Sequence, residues 1–295
     1  MEQNLRLGRR TFLGGLALLF ASPAHAQPLR IAALDWVSAQ NLMALGLQPV
    51  AMPEIERYDN LVVEPAPVSS VKELGLRSEP NLELLDQLGP DLLLISPELR
   101  PLERRLQQIA PVLIFDAYDR SNGGLSNHIQ DGRSALDRLA KQIGMDNAFQ
   151  AYIDIVDKEI VEARARLDGY DGRPLYCVTF LDGRRALIYG RSGLFQNVLD
   201  RFEIENAYDG PLSAYGHATV TIDRLAADPQ ARLLSIGNRQ RVSLETIRKA
   251  PAVASLPFVR ENRVALIDDV LFYGGLPSVL RFARLASGAL AGDPA

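Results

Sequence analysis

Cysteine is nearly missing from this chain: Cys177 is the single thiol in 295 residues. One thiol excludes an internal disulfide. It lies in the apolar run Leu175 to Leu181 and reads as a buried strand residue. Histidine is almost as scarce, three in all. His128 and His217 are the two beyond the first 26 residues, and neither has a Cys or His neighbour at metal-ligand spacing. His217 follows Tyr215-Gly216 and could line a pocket, although it reads more readily as an ordinary loop histidine. Basic residues do not form a stripe. The 32 Lys and Arg are outnumbered by 36 Asp and Glu, a net charge of −4, so nucleic acid is not an expected partner. Neither a Gly-x-Ser-x-Gly elbow nor a dinucleotide fingerprint occurs. These absences leave no catalytic residue, resident metal or cofactor to nominate. Nothing in them points to an enzyme, and an exported hydrolase or oxidoreductase stays as the remote alternative.

What is present starts at the amino terminus. Arg9-Arg10-Thr11-Phe12-Leu13, a short apolar stretch from Leu16 to Ala21 and the small residues Ala24-His25-Ala26 have the layout of an export signal. The paired arginines fit the twin-arginine type. The apolar stretch is far short of the roughly 20 residues a membrane span needs. Residues 1–26 are therefore expected to be removed, leaving a periplasmic protein that begins near Gln27. No cysteine follows the signal, so no lipid anchor is expected. Three of the four charges removed are arginines, which leaves the mature chain more acidic still.

The mature chain reads as two α/β stretches around one long helix. In the first, Leu29–Leu34, Gln48–Met52, Asp91–Ser96 and Val112–Phe115 are strand candidates. Helices are expected at Gln40–Leu45, Asn81–Leu88 and Leu102–Ile109, and Pro53–Pro67 reads as irregular. Short strands alternating with helices argue α/β units with mostly parallel pairing. A helix at Asn127–Ile143 is broken by Gly144. Then Phe149, Ile153, Val156, Ile160, Ala163 and Leu167 recur at helical spacing, one narrow apolar stripe suited to a helix crossing between lobes. The second α/β rhythm has strands at Leu175–Leu181, Ala186–Tyr189, Arg232–Ile236 and Arg263–Ile267. Its helices are expected at Leu194–Phe202, Leu244–Lys249 and Leu276–Leu290. The expected division is an amino-terminal lobe at 27–144, a linking helix at 145–169 and a carboxy-terminal lobe at 170–295.

Several blocks carry the functional reading. Glu73-Leu74-Gly75-Leu76-Arg77-Ser78-Glu79-Pro80-Asn81-Leu82-Glu83 places Arg77 in a loop before a helix that Ser78 can cap. A rigidly held arginine presents a planar fork to a bidentate oxygen ligand, although a surface arginine paired with Glu79 reads as well. Trp36 follows the first strand, and Tyr215-Gly216 and Phe272-Tyr273-Gly274-Gly275 are aromatic loop segments. Aromatics after strand ends commonly line α/β crevices. Phe272 reads as core.

Together with Ile31 to Trp36, Ser192-Gly193-Leu194-Phe195-Gln196, Ile222-Asp223-Arg224-Leu225-Ala226 and Leu256-Pro257-Phe258-Val259-Arg260, these blocks resemble the periplasmic siderophore-binding proteins of iron ABC importers. The likeness spans the mature chain and is greatest to the ferric-hydroxamate (ferrichrome) type. It implies two α/β lobes joined by one long, rigid α-helix, and a monomer that captures an Fe(III)-siderophore and passes it to an inner-membrane ABC permease. By resemblance Arg77 bonds the oxygens that hold the iron, while Trp36, Tyr215, Tyr273 and Leu194 wall the cleft. Glu83 and Asp223 would dock on the permease, although each also suits a helix amino terminus through the dipole. The chain departs from the pattern where a ligand-contacting tyrosine is replaced by Leu99. Cleft tryptophans are replaced by Leu61, Ile95, Leu271 and Tyr215. Arg100, Arg104 and Arg105 crowd the segment after the Asp91 strand. Arg104 and Arg105 read as a solvated helix face, whereas Arg100 near the cleft would favour a carboxylate-type siderophore. Haem, cobalamin or another chelate on the same scaffold is the remaining rival.

Overall fold

The computed structural model describes residues 29–118, 127–237 and 249–292. The export signal read at residues 1–26 and nearly all of the helix read at Leu244–Lys249 lie outside them. Among the described residues no helix is long and apolar enough to cross a membrane.

The first sheet is built from β1 (Ile31–Ala33), β2 (Ala51–Met52), β3 (Lys72–Glu73), β6 (Leu92–Ile95) and β7 (Val112–Ile114). They lie in the order β3-β2-β1-β6-β7, all parallel. A separate hairpin pairs β4 (Gly75–Leu76) with β5 (Glu79–Pro80). The second sheet orders β10 (His217–Thr221), β9 (Arg185–Tyr189), β8 (Leu175–Phe180), β11 (Arg232–Ile236) and β12 (Val264–Ile267). Its β8, β11 and β12 are parallel, whereas β8-β9-β10 is an antiparallel meander that includes the unforeseen β10.

Helix α1 (Trp36–Ala44) begins four residues before the expected start, because Asp35 is extended and its carboxylate accepts the Ser38 N–H at 2.8 Å. Helix α2 (Ile55–Leu61) occupies the segment read as irregular. The prolines there flank the helix and do not enter it, and Glu73 caps it from a distance by accepting the N–H of Glu54 at 2.8 Å and of Ile55 at 2.7 Å. Helix α3 (Leu82–Leu88) is capped by Asn81, not Ser78, with the Leu84 N–H 3.0 Å from the Asn81 amide oxygen. Ser78 sits instead in the hairpin turn beside Arg77, and Pro80 belongs to β5. A 3₁₀ turn at Pro97–Leu102 and the short α4 (Glu103–Leu106) replace the single helix expected at Leu102–Ile109. Pro101, which has no N–H to donate, falls in that turn.

Gly144, at φ +71°, ends α5 (His128–Ile143) in a left-handed cap, and α6 (Asp146–Ala165) starts two residues on. Of its stripe, Ile153, Val156 and Ala163 are buried, with Leu167 buried in the following turn. Helix α6 packs against α5, α7 (Leu194–Arg201) and α10 (Leu276–Ala291). The short α8 (Pro251–Ala254) and α9 (Pro257–Arg260) precede β12.

The inner strands of both sheets, such as β1, β6 and β8, are buried on both faces, which is why they read as continuous apolar runs. Leu92 and Leu94 face one cluster and Leu93 and Ile95 another, as the strand period requires. The largest cluster is shared: it takes Ile31 and Leu94 from the first sheet, Cys177, Leu234 and Ile267 from the second, and residues of α1, α5, α6, α7 and α10.

Candidate functional site

The order of the first sheet reverses at β1. The chain builds outward to β2 and β3, then returns to lay β6 and β7 on the other side of β1. A parallel sheet leaves a crevice beyond its carboxyl ends at such a reversal. Here that crevice is a cavity of about 740 Å³, a size suited to a small ligand. Its near wall comes from the loops after β1, β2, β6 and β7. Its far wall is aromatic and comes from the second sheet's side: Tyr215, His217, Phe272 and Tyr273.

Arg77 occupies the tip of the β4–β5 hairpin and is held on three sides. Its Nε donates to Glu54 Oε2 at 2.9 Å and its Nη1 to the Tyr273 hydroxyl at 3.1 Å. Its guanidinium carbon lies 3.6 Å from the centroid of the Trp36 ring, a close cation–π stack. Burial works against the charge, but Tyr273 and the Glu54 carboxylate outweigh it and raise the guanidinium pKa above its ordinary value. The pairing with Glu54 was not foreseen, since the sequence had offered Glu79 as the partner. Trp36 is itself fixed, its Nε1–H donating to the Pro53 carbonyl at 3.2 Å and its ring edge-on to buried Tyr58.

The far wall interlocks. Phe272 meets Tyr273, His217 and Tyr189 at centroid distances of 4.9, 5.0 and 5.4 Å. The loop bearing Phe272 and Tyr273 is pinned to α1 by Gln40 and Asn41, fully buried side chains whose amides donate to the Gly274 carbonyl at 2.5 and 2.9 Å. A methyl on Gly274 would overlap Ser278 Oγ and Gln40 Nε2, so only glycine fits. Tyr215 reaches across the cavity and donates its hydroxyl to Glu98 Oε1 at 2.9 Å.

Of the six expected ligand contacts, Trp36, Arg77, Tyr215 and Tyr273 line the cavity. Leu194 does not. It opens α7 and is 1% exposed in the shared core. Arg100 is exposed on the outer side of the 3₁₀ turn, while its neighbours Glu98, Leu99 and Pro101 face the cavity. Arg104 and Arg105 are solvated, as expected. Phe272 lines the cavity as well as packing on the core, and His217 is a strand residue of the wall, not a loop residue, with its pKa lowered by burial. Glu83 and Asp223 are exposed, in the first turns of α3 and of a 3₁₀ turn at Ile222–Ala226.

The wall also holds residues the sequence reading missed: Asp35, Glu54, Glu98, Asp116 and Tyr118. Each follows a strand of the first sheet closely, and that placement was the available signal. Asp35 is buried, which raises its pKa to about 6 against the lowering effect of its Ser38 and Val37 hydrogen bonds; Glu98 nearby adds to the rise. Among the described residues no group of three or more His, Cys, Asp or Glu is arranged to hold a metal ion.

Known proteins resemble this chain in sequence and in fold. A family model described as periplasmic binding protein matches residues 31–271. The iron(3+)-hydroxamate-binding protein FhuD of Escherichia coli (strain K12) is 31% identical over 97% of this chain and 97% of its own. The structure of the Fe3+–Desferal-bound siderophore-binding protein FhuD of Vibrio cholerae superposes with a TM-score of 0.82 at 26% identity, covering 90% of this chain and 100% of that one. The petrobactin-binding protein YclQ of Bacillus subtilis shares the fold, at TM-score 0.70 and 18% identity over 89% and 92% of the two chains. The family match runs from β1 to Leu271, just short of Phe272 and Tyr273, and the chain belongs to the periplasmic binding protein family.

Proposed function

We propose that this protein captures an Fe(III)-hydroxamate siderophore in the periplasm and delivers it, as a monomer, to an inner-membrane ABC permease. The observation that carries the reading is Arg77, stacked on Trp36 and braced by Glu54 and Tyr273 in an aromatic cavity. A guanidinium has five N–H donors, and two of them are spent on those braces. The remaining donors are pre-aimed for a ligand without further ordering cost. A hydroxamate siderophore already wraps its iron in oxygens, so the protein is asked for donors to those oxygens and for apolar cover, not for metal ligands. Trp36, Tyr215, Tyr273 and Phe272 give that cover. Two of the proteins named above, the E. coli iron(3+)-hydroxamate-binding protein and the Fe3+–Desferal-bound protein of V. cholerae, support a binder over an enzyme. Arg100, the ground for a carboxylate-type ligand, lies off the cavity, which favours the hydroxamate.

In this reading residues 1–26 direct export, α6 joins the two lobes, and Glu83 and Asp223, exposed on opposite lobes, meet the permease. The test is a titration of the mature protein with Fe(III)-desferrioxamine B, ferrichrome and a ferric citrate-type chelate, following Trp36 fluorescence. Saturable quenching by a hydroxamate, lost in Arg77→Ala, is the expected result. Tight binding of the citrate-type chelate alone, or of none, overturns the proposal.

A further inference from the structure

Among the described lining residues His217 is the one imidazole, and the fold fixes where its ring points. It opens β10, an edge strand that pairs with β9 and sets His217 opposite Tyr189. Ala218 and Val220 pack on the cluster around Val178 and Phe180, so the alternation along a strand turns His217 to the other face. There its ring lies edge-on to Phe272 at a centroid distance of 5.0 Å and nearly parallel to Tyr215 at 6.5 Å. Glu98 and Tyr273 stand beyond Tyr215. The backbone is tied at the same point. The Ser213 N–H donates to the His217 carbonyl at 2.8 Å and the Gly190 N–H to the Gly216 carbonyl at 2.9 Å. Gly216, at φ +72°, lies so close to Gly193 that a side chain there would strike its backbone. The imidazole is therefore well placed, yet among the described residues neither ring nitrogen has a hydrogen-bond partner. Burial alone lowers its pKa, which leaves it neutral at pH 7.5.

A neutral imidazole offers one N–H donor and one acceptor nitrogen. A ligand that enters the cavity takes water from this ring, and an N–H left without a replacement acceptor costs affinity. A tris-hydroxamate leaves no open position on its iron, so the imidazole meets oxygens and not the metal, and those oxygens accept hydrogen bonds. Arg77 reaches Tyr273, Tyr273 meets Phe272 at 4.9 Å and Phe272 meets His217, so two rings separate the arginine from the imidazole along the wall. The two donors can thus engage different oxygens of one chelate. We infer that His217 is a second ligand-binding residue, donating from the far wall to a chelate oxygen while Arg77 donates from the other side of the cavity. The inference rests on the hydroxamate reading above.

His217→Phe keeps an aromatic ring against Phe272 and Tyr215 but has no N–H. His217→Gln and His217→Asn return an amide N–H near one or the other ring nitrogen. With Fe(III)-desferrioxamine B at pH 7.5, Trp36 quenching should show binding about five- to tenfold weaker in His217→Phe and recovered in at least one amide variant. A second measurement follows the ratio of parent to His217→Phe affinity from pH 8 to 5. A donating imidazole donates more strongly once protonated, so the ratio should hold or rise as pH falls. A ring that only packs would be desolvated under the ligand and would resist protonation, so the ratio would fall. Asp35, whose carboxyl titrates near 6 on the same cavity, is present in both proteins and cancels in the ratio. His217→Phe binding as tightly as the parent, no gain in either amide variant, or a ratio that falls with pH overturns the inference and leaves the hydroxamate reading standing. Failure of the parent protein itself to bind overturns the hydroxamate reading, and the inference with it.

Discussion

Replacing Asp35 by asparagine should make this protein more stable at neutral pH, although the change removes a helix-capping carboxylate. Asp35 is 7% exposed, and burial lifts its pKa from an ordinary 3.8 to about 6. Between those values the folded state binds a proton that the unfolded state releases. Its contribution is therefore most favourable below pH 3.8 and is lost as pH rises through 6. Above pH 7 the folded state carries the full cost of a buried, ionised carboxylate, about 3 kcal/mol at 1.36 kcal/mol per unit of pKa. Asparagine is as good a cap, its oxygen can accept the Ser38 N–H as Asp35 Oδ1 does at 2.8 Å, and its amide can donate to the Ser38 hydroxyl that now donates to Asp35 Oδ2 at 2.6 Å. Urea unfolding of both proteins from pH 4.5 to 8 measures the difference, and other carboxylates cancel in it. The advantage of Asp35→Asn over the parent should grow by about 2 kcal/mol from pH 4.5 to 8. A difference that stays flat across this range would refute the argument, since it would show that Asp35 titrates alike in both states.

Arg77→Lys keeps a charge but loses the planar stack on Trp36 and the forked geometry, and should weaken hydroxamate binding at least about tenfold in the quenching titration. Gly274→Ala forces a methyl into Ser278 and Gln40 and should destabilise by about 1–3 kcal/mol in urea, with a matching loss of ligand affinity as Tyr273 shifts. The Cys177 thiol is fully buried, which pushes its pKa up, so it should resist an aromatic disulfide reagent until urea unfolds the chain. Glu83→Lys with Asp223→Lys should leave Trp36 quenching unchanged and abolish siderophore-dependent growth; unimpaired growth would remove both residues from the permease contact.

The strands of the core were legible because burial on both faces leaves unbroken apolar runs such as Leu92–Ile95 and Leu175–Phe180. So was α6, whose stripe repeats over five turns. Elements held by distant partners were not. Helix α2 depends on Glu73, nearly twenty residues away, for its cap, and β10 exists only through pairing with β9. In the site, Arg77 and the aromatic loops were marked by motif, but Leu194 was carried over by resemblance to a position that the fold buries. The four wall carboxylates escaped notice for a different reason. Glu54, Asp35, Glu98 and Asp116 are scattered in sequence, and only the strand order, with its reversal at β1, makes them neighbours.

That same reversal explains why carboxylates and an arginine meet on one cavity wall. Parallel strands end together, so loops from four of them converge, and carboxylates there lie beside the amino termini of the helices that follow, as Asp35 does at α1. Arg77 arrives from outside this register, on a hairpin that projects over the strand ends, and it needs Glu54 to hold it there. Glu54 is committed in turn: it sits at φ +52°, in the left-handed region, with its N–H held by Glu73 and the Gly75 carbonyl. An arginine fixed by such a chain is ordered before any ligand arrives. The chain also makes the arginine's position sensitive to Glu73, which never touches the cavity. Glu73→Gln should therefore lower ligand affinity several-fold through Arg77 placement, and Glu73→Asp, which retains the charge but shortens the reach, should do no better. Wild-type affinity in both variants would show that the Trp36 stack and the Tyr273 hydroxyl suffice to hold Arg77.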